Sequence, residues 1–262
     1  MSYDLRPLGP ERFLVWDLLR ETDPYYLNHH LFDIDMTAIE EDIQRRLAAG
    51  EPLISYLAYV LSAYACMLAE FPVLNSYLRI WPLTRLAVYR GVDIAFPIER
   101  IWEGNSIVLL GLLKDAQNLK VDEINSFLSE RRDAPLDSLP EFGSYKRLLK
   151  IPSWCRWWLF QLGAKPFPGL MRRLVGTTAV TSVGKFGTTL TTPLSPRSCT
   201  VSLGLVETRP RVVEGRVEPR LSAWITVTYD HRVADGAFVA RFGAGLRRRL
   251  ESLNLALLGF TR

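Results

Sequence analysis

Leu221 to Tyr229 alternates strictly, with Leu221, Ala223, Ile225, Val227 and Tyr229 on one face and Ser222, Trp224, Thr226 and Thr228 on the other. That period of two requires a strand. A few residues later the period becomes four, through Phe238, Phe242, Leu246 and Leu250, with Arg241 and Arg247 to Arg249 lying mostly on other faces. That is an amphipathic helix. Between the two lies Tyr229-Asp230-His231-Arg232-Val233-Ala234-Asp235-Gly236, which puts a histidine where a strand gives way to a helix. An imidazole there can take a proton from a thiol or hydroxyl. The spacing His-x-x-x-Asp-Gly taken alone also fits a hydrogen-bonded structural histidine.

A chain of 262 residues with 48% hydrophobic content can bury one large core, and no Gly/Ser-rich or Pro-rich linker divides it. One domain over residues 1–262 is expected, with helices packed on a largely β core. Met1-Ser2-Tyr3-Asp4-Leu5-Arg6 lacks a secretory start, so a cytoplasmic protein is expected. Cys66, Cys155 and Cys199 suggest neither a disulfide framework nor a zinc motif. Pro52 to Ala69 carries no charge, yet it begins with a proline and contains Ser55, Ser62 and three tyrosines, so it reads as a core helix rather than a membrane span. Thr37-Ala38-Ile39-Glu40 has capping-box form at the head of a helix that Gly50 stops.

Leu139 to Gly176 stands apart in composition. Trp154, Trp157, Trp158, Phe160 and Phe167 are interleaved there with Lys146, Arg147, Lys150, Arg156, Lys165, Arg172 and Arg173. From Glu141 to Gly176 seven basic residues face one acidic residue, a net of +6 against +4 for the whole chain, so the remainder nets −2. Such a stretch suits peripheral contact of 146–173 with an anionic membrane surface, cover over a long acyl chain, or docking of an acidic carrier protein. Packing of the tryptophans beneath a solvated charged face is the plainer reading. No nucleic-acid-binding motif accompanies the charge, and no nucleic-acid partner is expected.

Several segments in order give the chain its resemblance to a known family. Thr181-Ser182-Val183-Gly184-Lys185-Phe186-Gly187, the proline-containing loop from Pro193 to Ser198, the strand and basic turn from Val201 to Val213, and the Asp230 to Gly236 motif form the series. Upstream, Phe71-Pro72-Val73-Leu74-Asn75 and Phe32-Asp33-Ile34-Asp35-Met36-Thr37 extend it. Together they resemble the catalytic domain of the dihydrolipoyl acyltransferases of 2-oxo acid dehydrogenase complexes, relatives of chloramphenicol acetyltransferase. The resemblance implies an α/β layered fold of the chloramphenicol acetyltransferase type, a mixed sheet flanked by helices. It also implies a coenzyme A-dependent acyltransferase.

By the same resemblance His231 is the general base, and the hydroxyl of Thr181 stabilises the tetrahedral oxyanion. Ser182 is the alternative donor. Asp235 is a structural member of the site, held by an arginine near the N-terminus, for which Arg12 is the candidate and Arg6 the nearby competitor. Gly236 lets the chain turn into the helix, Arg232 is a supporting or surface residue, and His29 and His30 are outside candidates for lining the site. The family builds its site between subunits of a trimer, so a homotrimer is implied, with larger assemblies open. Coenzyme A or acyl-coenzyme A is the expected substrate, with no metal and no lipoate attached to this chain. The sequence has no room for a lipoyl domain, and 139–176 reads as an insertion, so a free-standing member is expected. An acyl carrier or lipoyl protein is a candidate partner. A noncatalytic trimeric scaffold is the competing reading.

Overall fold

The computed structural model describes residues 9–22, 26–80 and 82–255. The chain opens with helix α1 (Pro10–Arg20), strand β1 (Leu27–Asp35), α2 (Thr37–Ala48) and α3 (Tyr56–Glu70). Strands β2 (Ser76–Arg79), β3 (Arg85–Val88), β4 (Ile94–Trp102) and β5 (Asn105–Leu113) follow. Next come α4 (Val121–Asp133), α5 (Pro140–Leu149), α6 (Ser153–Trp158), a π-helical turn (Leu159–Ala164) and α7 (Pro168–Val175). Strands β6 (Thr178–Ser182), β7 (Cys199–Val213) and β8 (Arg216–Asp230) lead into α8 (Gly236–Glu251).

Six strands form one mixed sheet in the order β1-β8-β7-β6-β4-β5, while β2 and β3 pair separately. β6 runs parallel to both β4 and β7, and the other neighbours are antiparallel. Two hairpins turn on Glu-Gly dipeptides. Glu103-Gly104 joins β4 to β5 and Glu214-Gly215 joins β7 to β8, all four with positive φ. Such two-residue turns match the right-handed twist of their strands.

Because paired residues share a face, the register assigns the two sides of the sheet. Ile34, Ala223, Ile225, Val227, Val201 and Val180 lie on one side and are at most 1% exposed. α8 covers them with Val239, Phe242, Leu246 and Leu250, all fully buried. Each such side chain contributes about 1.5–3 kcal/mol through burial. α3 lies between α8 and α4, which leaves every residue from Ala58 to Leu68 buried. The uncharged run is thus a core helix. Among the described residues no helix is long and apolar enough to cross a membrane.

The expected capping box at Thr37 does not form. Met36 occupies the N-cap, and the Thr37 N–H donates to the Asp35 carboxylate at 2.9 Å. Glu40 instead accepts from Gln44 and from the Tyr56 hydroxyl. The Asp35 carboxylate takes the Thr37 amide that Glu40 would accept in a capping box, and the Glu40 N–H donates to the Met36 carbonyl instead of the threonine hydroxyl. Gly50 does end this stretch, at φ +78°.

Candidate active site

The turn after β8 presents His231 to solvent at the mouth of an open cleft of about 510 Å³, lined also by Tyr26, Leu27, Asn28 and Arg232. Three backbone bonds fix it. The His231 N–H donates to the Tyr26 carbonyl at 2.8 Å, the Asp230 N–H to Ser198 at 3.1 Å, and the Val233 N–H to Asp230 at 2.9 Å. The fully buried Asp230 carboxylate reinforces this turn. It accepts from the Arg232 backbone N–H at 3.0 Å and from the guanidinium at 2.9 and 2.6 Å. A planar fork on a carboxylate sets geometry as well as charge. Asp230 and Arg232 are therefore positioning residues for His231, a role the sequence reading did not give to Asp230 and left loose for Arg232.

Behind the histidine lies a short aromatic and polar cluster. The Tyr229 ring sits 5.7 Å from that of His231, and its hydroxyl is 3.3 Å from His30 Nε2. Burial pushes the Tyr229 phenol above its usual range, so it is protonated at neutral pH. His29 points to the other side of β1, with Nδ1 2.8 Å from the Thr228 hydroxyl. Burial lowers its pKa, which keeps that ring neutral and structural. His30, not His29, reaches the Tyr229 ring that lies beside the candidate base.

Thr181 and Ser182 point to opposite faces, as adjacent strand residues must. Thr181 shares a row with Ser202 and Thr226, on the face turned away from α8. Ser182 pairs with Leu203 on the helix side and lines a 540 Å³ cleft with Tyr56, Gly184, Lys185 and Arg131. The register also measures how far Thr181 is from the histidine. Thr226 to Asp230 covers about 13 Å along β8, and two strand spacings add about 10 Å across, so Thr181 and the His231 turn stand roughly 16 Å apart. One thioester carbonyl cannot touch both side chains within a single chain.

The strand end carrying Thr181 and Ser182 is set by two glycines. A Cβ on Gly184 would lie 2.6 Å from the Gly204 carbonyl oxygen, and one on Gly204 would overlap the Thr189 carbonyl. Gly187 then ends the short turn at φ +81°. Backbone meets backbone here, so a methyl group cannot be absorbed by a rotamer change. Gly204→Ala is expected to cost about 1–3 kcal/mol in urea melts. Gly143→Ala, at an open helix position, is expected to stabilise by about 1 kcal/mol or less. Equal melting of the two variants would contradict this account. Gly204 was not singled out from sequence, because only the tertiary approach of residue 189 reveals its role.

The expected supports of Asp235 differ from what the chain shows. Asp235 is the N-cap of α8, exposed, and its side chain makes no cap hydrogen bond. Among the described residues no ion pair joins it to Arg12, which is exposed on α1, a helix packed against α5 and α6. Arg6 lies outside the described residues. At the N-terminus of α8 the carboxylate is favoured by the helix dipole without a cation. Gly236 is not required for the turn either. It is the first residue of α8 with no positive φ, and a Cβ there would meet only ordinary contacts at 3.5 Å or more.

The segment 139–176 folds into α5, α6, the π turn and α7. Trp154, Trp158 and Phe167 are exposed, while Trp157 is half-buried beside the Arg20 guanidinium. Four of its seven cations are matched by carboxylates outside it. Arg156 pairs with Asp17, Lys165 with Glu21, Arg172 with Asp93 and Asp115, and Lys146 with Asp137. Three of these cations, Arg156, Lys165 and Arg172, therefore dock the segment to the body.

Comparison with known proteins places this geometry. Residues 174–258 match the family model of the 2-oxoacid dehydrogenases acyltransferase (catalytic domain). That stretch is similar to the acyltransferase catalytic domain of the 2-oxoacid dehydrogenases. The matched segment contains Thr181, Ser182 and the whole His231 turn. The dihydrolipoyllysine-residue acetyltransferase component of the pyruvate dehydrogenase complex of Mycoplasma pneumoniae is 38% identical over 80 residues, 30% of this chain and 20% of that protein. The succinyltransferase component of the 2-oxoglutarate dehydrogenase complex of Buchnera aphidicola is 21% identical over 203 residues, 77% of this chain and 40% of that protein. The chain thus spans well under half the length of these relatives.

Among solved structures, the dihydrolipoamide acetyltransferase of Azotobacter vinelandii superposes with a TM-score of 0.73 at 20% identity, covering 98% of this chain and 95% of that one. A chloramphenicol acetyltransferase superposes with a TM-score of 0.52 at 16% identity, covering 95% and 99%. The chain therefore has the fold expected from its sequence, a mixed sheet flanked by helices. The Azotobacter structure belongs to an investigation of a serine, a histidine and an asparagine in that enzyme's catalytic mechanism, the last two four positions apart.

Proposed function

We propose that the protein is a coenzyme A-dependent acyltransferase in which His231 is the general base and the Thr181 hydroxyl stabilises the tetrahedral oxyanion. The observation that carries this reading is the clamped turn, which holds an exposed imidazole at the mouth of a cleft by backbone bonds and the Asp230–Arg232 pair. The His231 imidazole removes the proton from an incoming thiol, whose sulfur attacks the thioester carbonyl. The carbonyl oxygen takes the negative charge and accepts from the hydroxyl. Collapse expels the second thiolate, which recovers the proton from the imidazolium. His231 and Asp235 keep the four-position spacing of the histidine and asparagine studied in the Azotobacter enzyme.

Because Thr181 and His231 are too far apart within one chain, the site is assembled from two subunits, and a homotrimer provides three such sites. The structural relatives include the cubic core of the pyruvate dehydrogenase multienzyme complex, which is consistent with an assembly built from this fold. The acceptor is a small thiol, hydroxyl or amine, or a lipoyl group on another protein. Calorimetric titration with coenzyme A and acyl-coenzyme A esters, followed by a thiol-release assay with dihydrolipoamide, tests the reading. Micromolar binding with turnover that His231→Gln abolishes is expected. Absence of both binding and turnover would leave the noncatalytic scaffold.

A further inference from the structure

The docked segment encloses a cavity that the proposed chemistry does not yet use. It measures about 340 Å³ and lies between α1, α6, the π turn and α7, with Leu14, Trp157, Phe160, Ala164 and Met171 on its walls. Phe160 and Ala164 face it from the π turn, whose wide coil is closed by the Lys165 N–H donating to the Phe160 carbonyl at 2.9 Å. The acidic side chains at its edge are already matched. Asp17 accepts from Arg156 at 2.8 Å, and Glu21 from Lys165 at 2.8 Å and from Gln161. A ligand here meets hydrocarbon walls, with the Arg197 guanidinium at the edge donating to the Pro196 and Val175 carbonyls, so the site suits an apolar group.

The cavity also adjoins the end of the sheet that carries the candidate base. Arg197 lines it, and the next residue, Ser198, accepts from the Asp230 N–H immediately before His231. The Arg197–Ser198 step thus joins this wall to the His231 turn.

We infer that the cavity receives the apolar chain of the acyl group, and that the substrate is a medium-chain fatty or similar hydrocarbon thioester rather than acetyl or succinyl. At roughly 30 Å³ for each water-sized group, 340 Å³ accommodates on the order of ten carbons. The inference rests on the acyltransferase reading and names its substrate class.

The test compares acetyl-, hexanoyl-, decanoyl- and succinyl-coenzyme A on the full chain, by calorimetry and by thiol release. Decanoyl-coenzyme A is expected to bind at least thirtyfold tighter than the acetyl or succinyl ester. Ala164→Phe, which fills the wall, and Leu159→Asp, at an exposed rim position that tolerates change, are each expected to cost the decanoyl ester tenfold or more and the acetyl ester less than twofold. Equal binding of acetyl and decanoyl esters, or a decanoyl preference that survives both variants, would overturn the inference. Quenching of tryptophan fluorescence by a brominated decanoyl amide reads the cavity without coenzyme A. Quenching that Trp157→Phe removes, with no coenzyme A binding, would sink the acyltransferase reading alone. Normal coenzyme A binding without quenching would sink the cavity alone.

Discussion

Mixed assemblies of His231→Ala and Thr181→Val chains are expected to regain activity that neither parent has. Loss of a general base removes about 10²- to 10⁴-fold in rate, and loss of one oxyanion donor about 10²- to 10³-fold. Valine keeps the shape of threonine and deletes only the hydroxyl, so the second variant tests the hydrogen bond rather than the fold. If each site takes its histidine from one chain and its hydroxyl from the next, random exchange at equal amounts rebuilds about one site in four. A site contained in one chain gives none. The roughly 16 Å between the Thr181 row and the His231 turn is what makes the two cases differ. The measurement is thiol release before and after exchange, with exchange verified by mass spectrometry of differently tagged chains. Replacing Thr181→Val by Ser182→Ala in the same mixture identifies the donor, because the two side chains lie on opposite faces of β6. Recovery only with the serine variant would reassign the oxyanion role to the helix-side cleft.

The parts of this site that were legible in the sequence are those set by local periodicity. The change from a period of two through Tyr229 to a period of four from Phe238 located the strand, the turn and the helix. Toward its C-terminal end both faces of β8 are buried, the apolar row beneath α8 and the row of Ser222, Thr226 and Thr228 on the other side. β8 nevertheless starts five residues earlier than that alternation suggested, at Arg216, because Glu214-Gly215 makes a tight hairpin and carries the β7–β8 pairing outward. An acidic residue and glycine between two alternating runs was a usable signal. What could not be read is tertiary. The pairs Asp17–Arg156 and Glu21–Lys165 join residues far apart in sequence, and they place α1 against α6 and the π turn rather than beside Asp235. The Gly184–Gly204 approach and the Asp35 carboxylate that displaces the Thr37 cap also depend on which neighbour arrives. Spacing alone does not rank such competitors.

Arg232→Ala is expected to destabilise the protein by about 3 kcal/mol or more, and the cost is expected to collapse in an Asp230→Asn background. Asp230 is fully buried, and its carboxylate takes hydrogen bonds from the Arg232 guanidinium and backbone amide. Removing the guanidinium strands a buried negative charge. Losses of that kind run to about 3–5 kcal/mol because desolvation is no longer compensated. In Asp230→Asn the charge is gone, while the side-chain carbonyl still accepts from the Arg232 N–H. Removing the arginine from that variant therefore costs only an ordinary hydrogen bond, about 1 kcal/mol. A double-mutant cycle in urea reads the difference as a coupling of about 2 kcal/mol. Equal costs in the two backgrounds would show that the guanidinium acts by packing on its surroundings, including the Tyr26 ring 5.6 Å away. The same cycle bears on mechanism, since the turn carries His231 and nothing in the pair reaches the Ser182 cleft. Turnover should fall with the loosened turn while the Kd for coenzyme A stays within twofold. A parallel loss of both would mean that Arg232 itself binds the substrate.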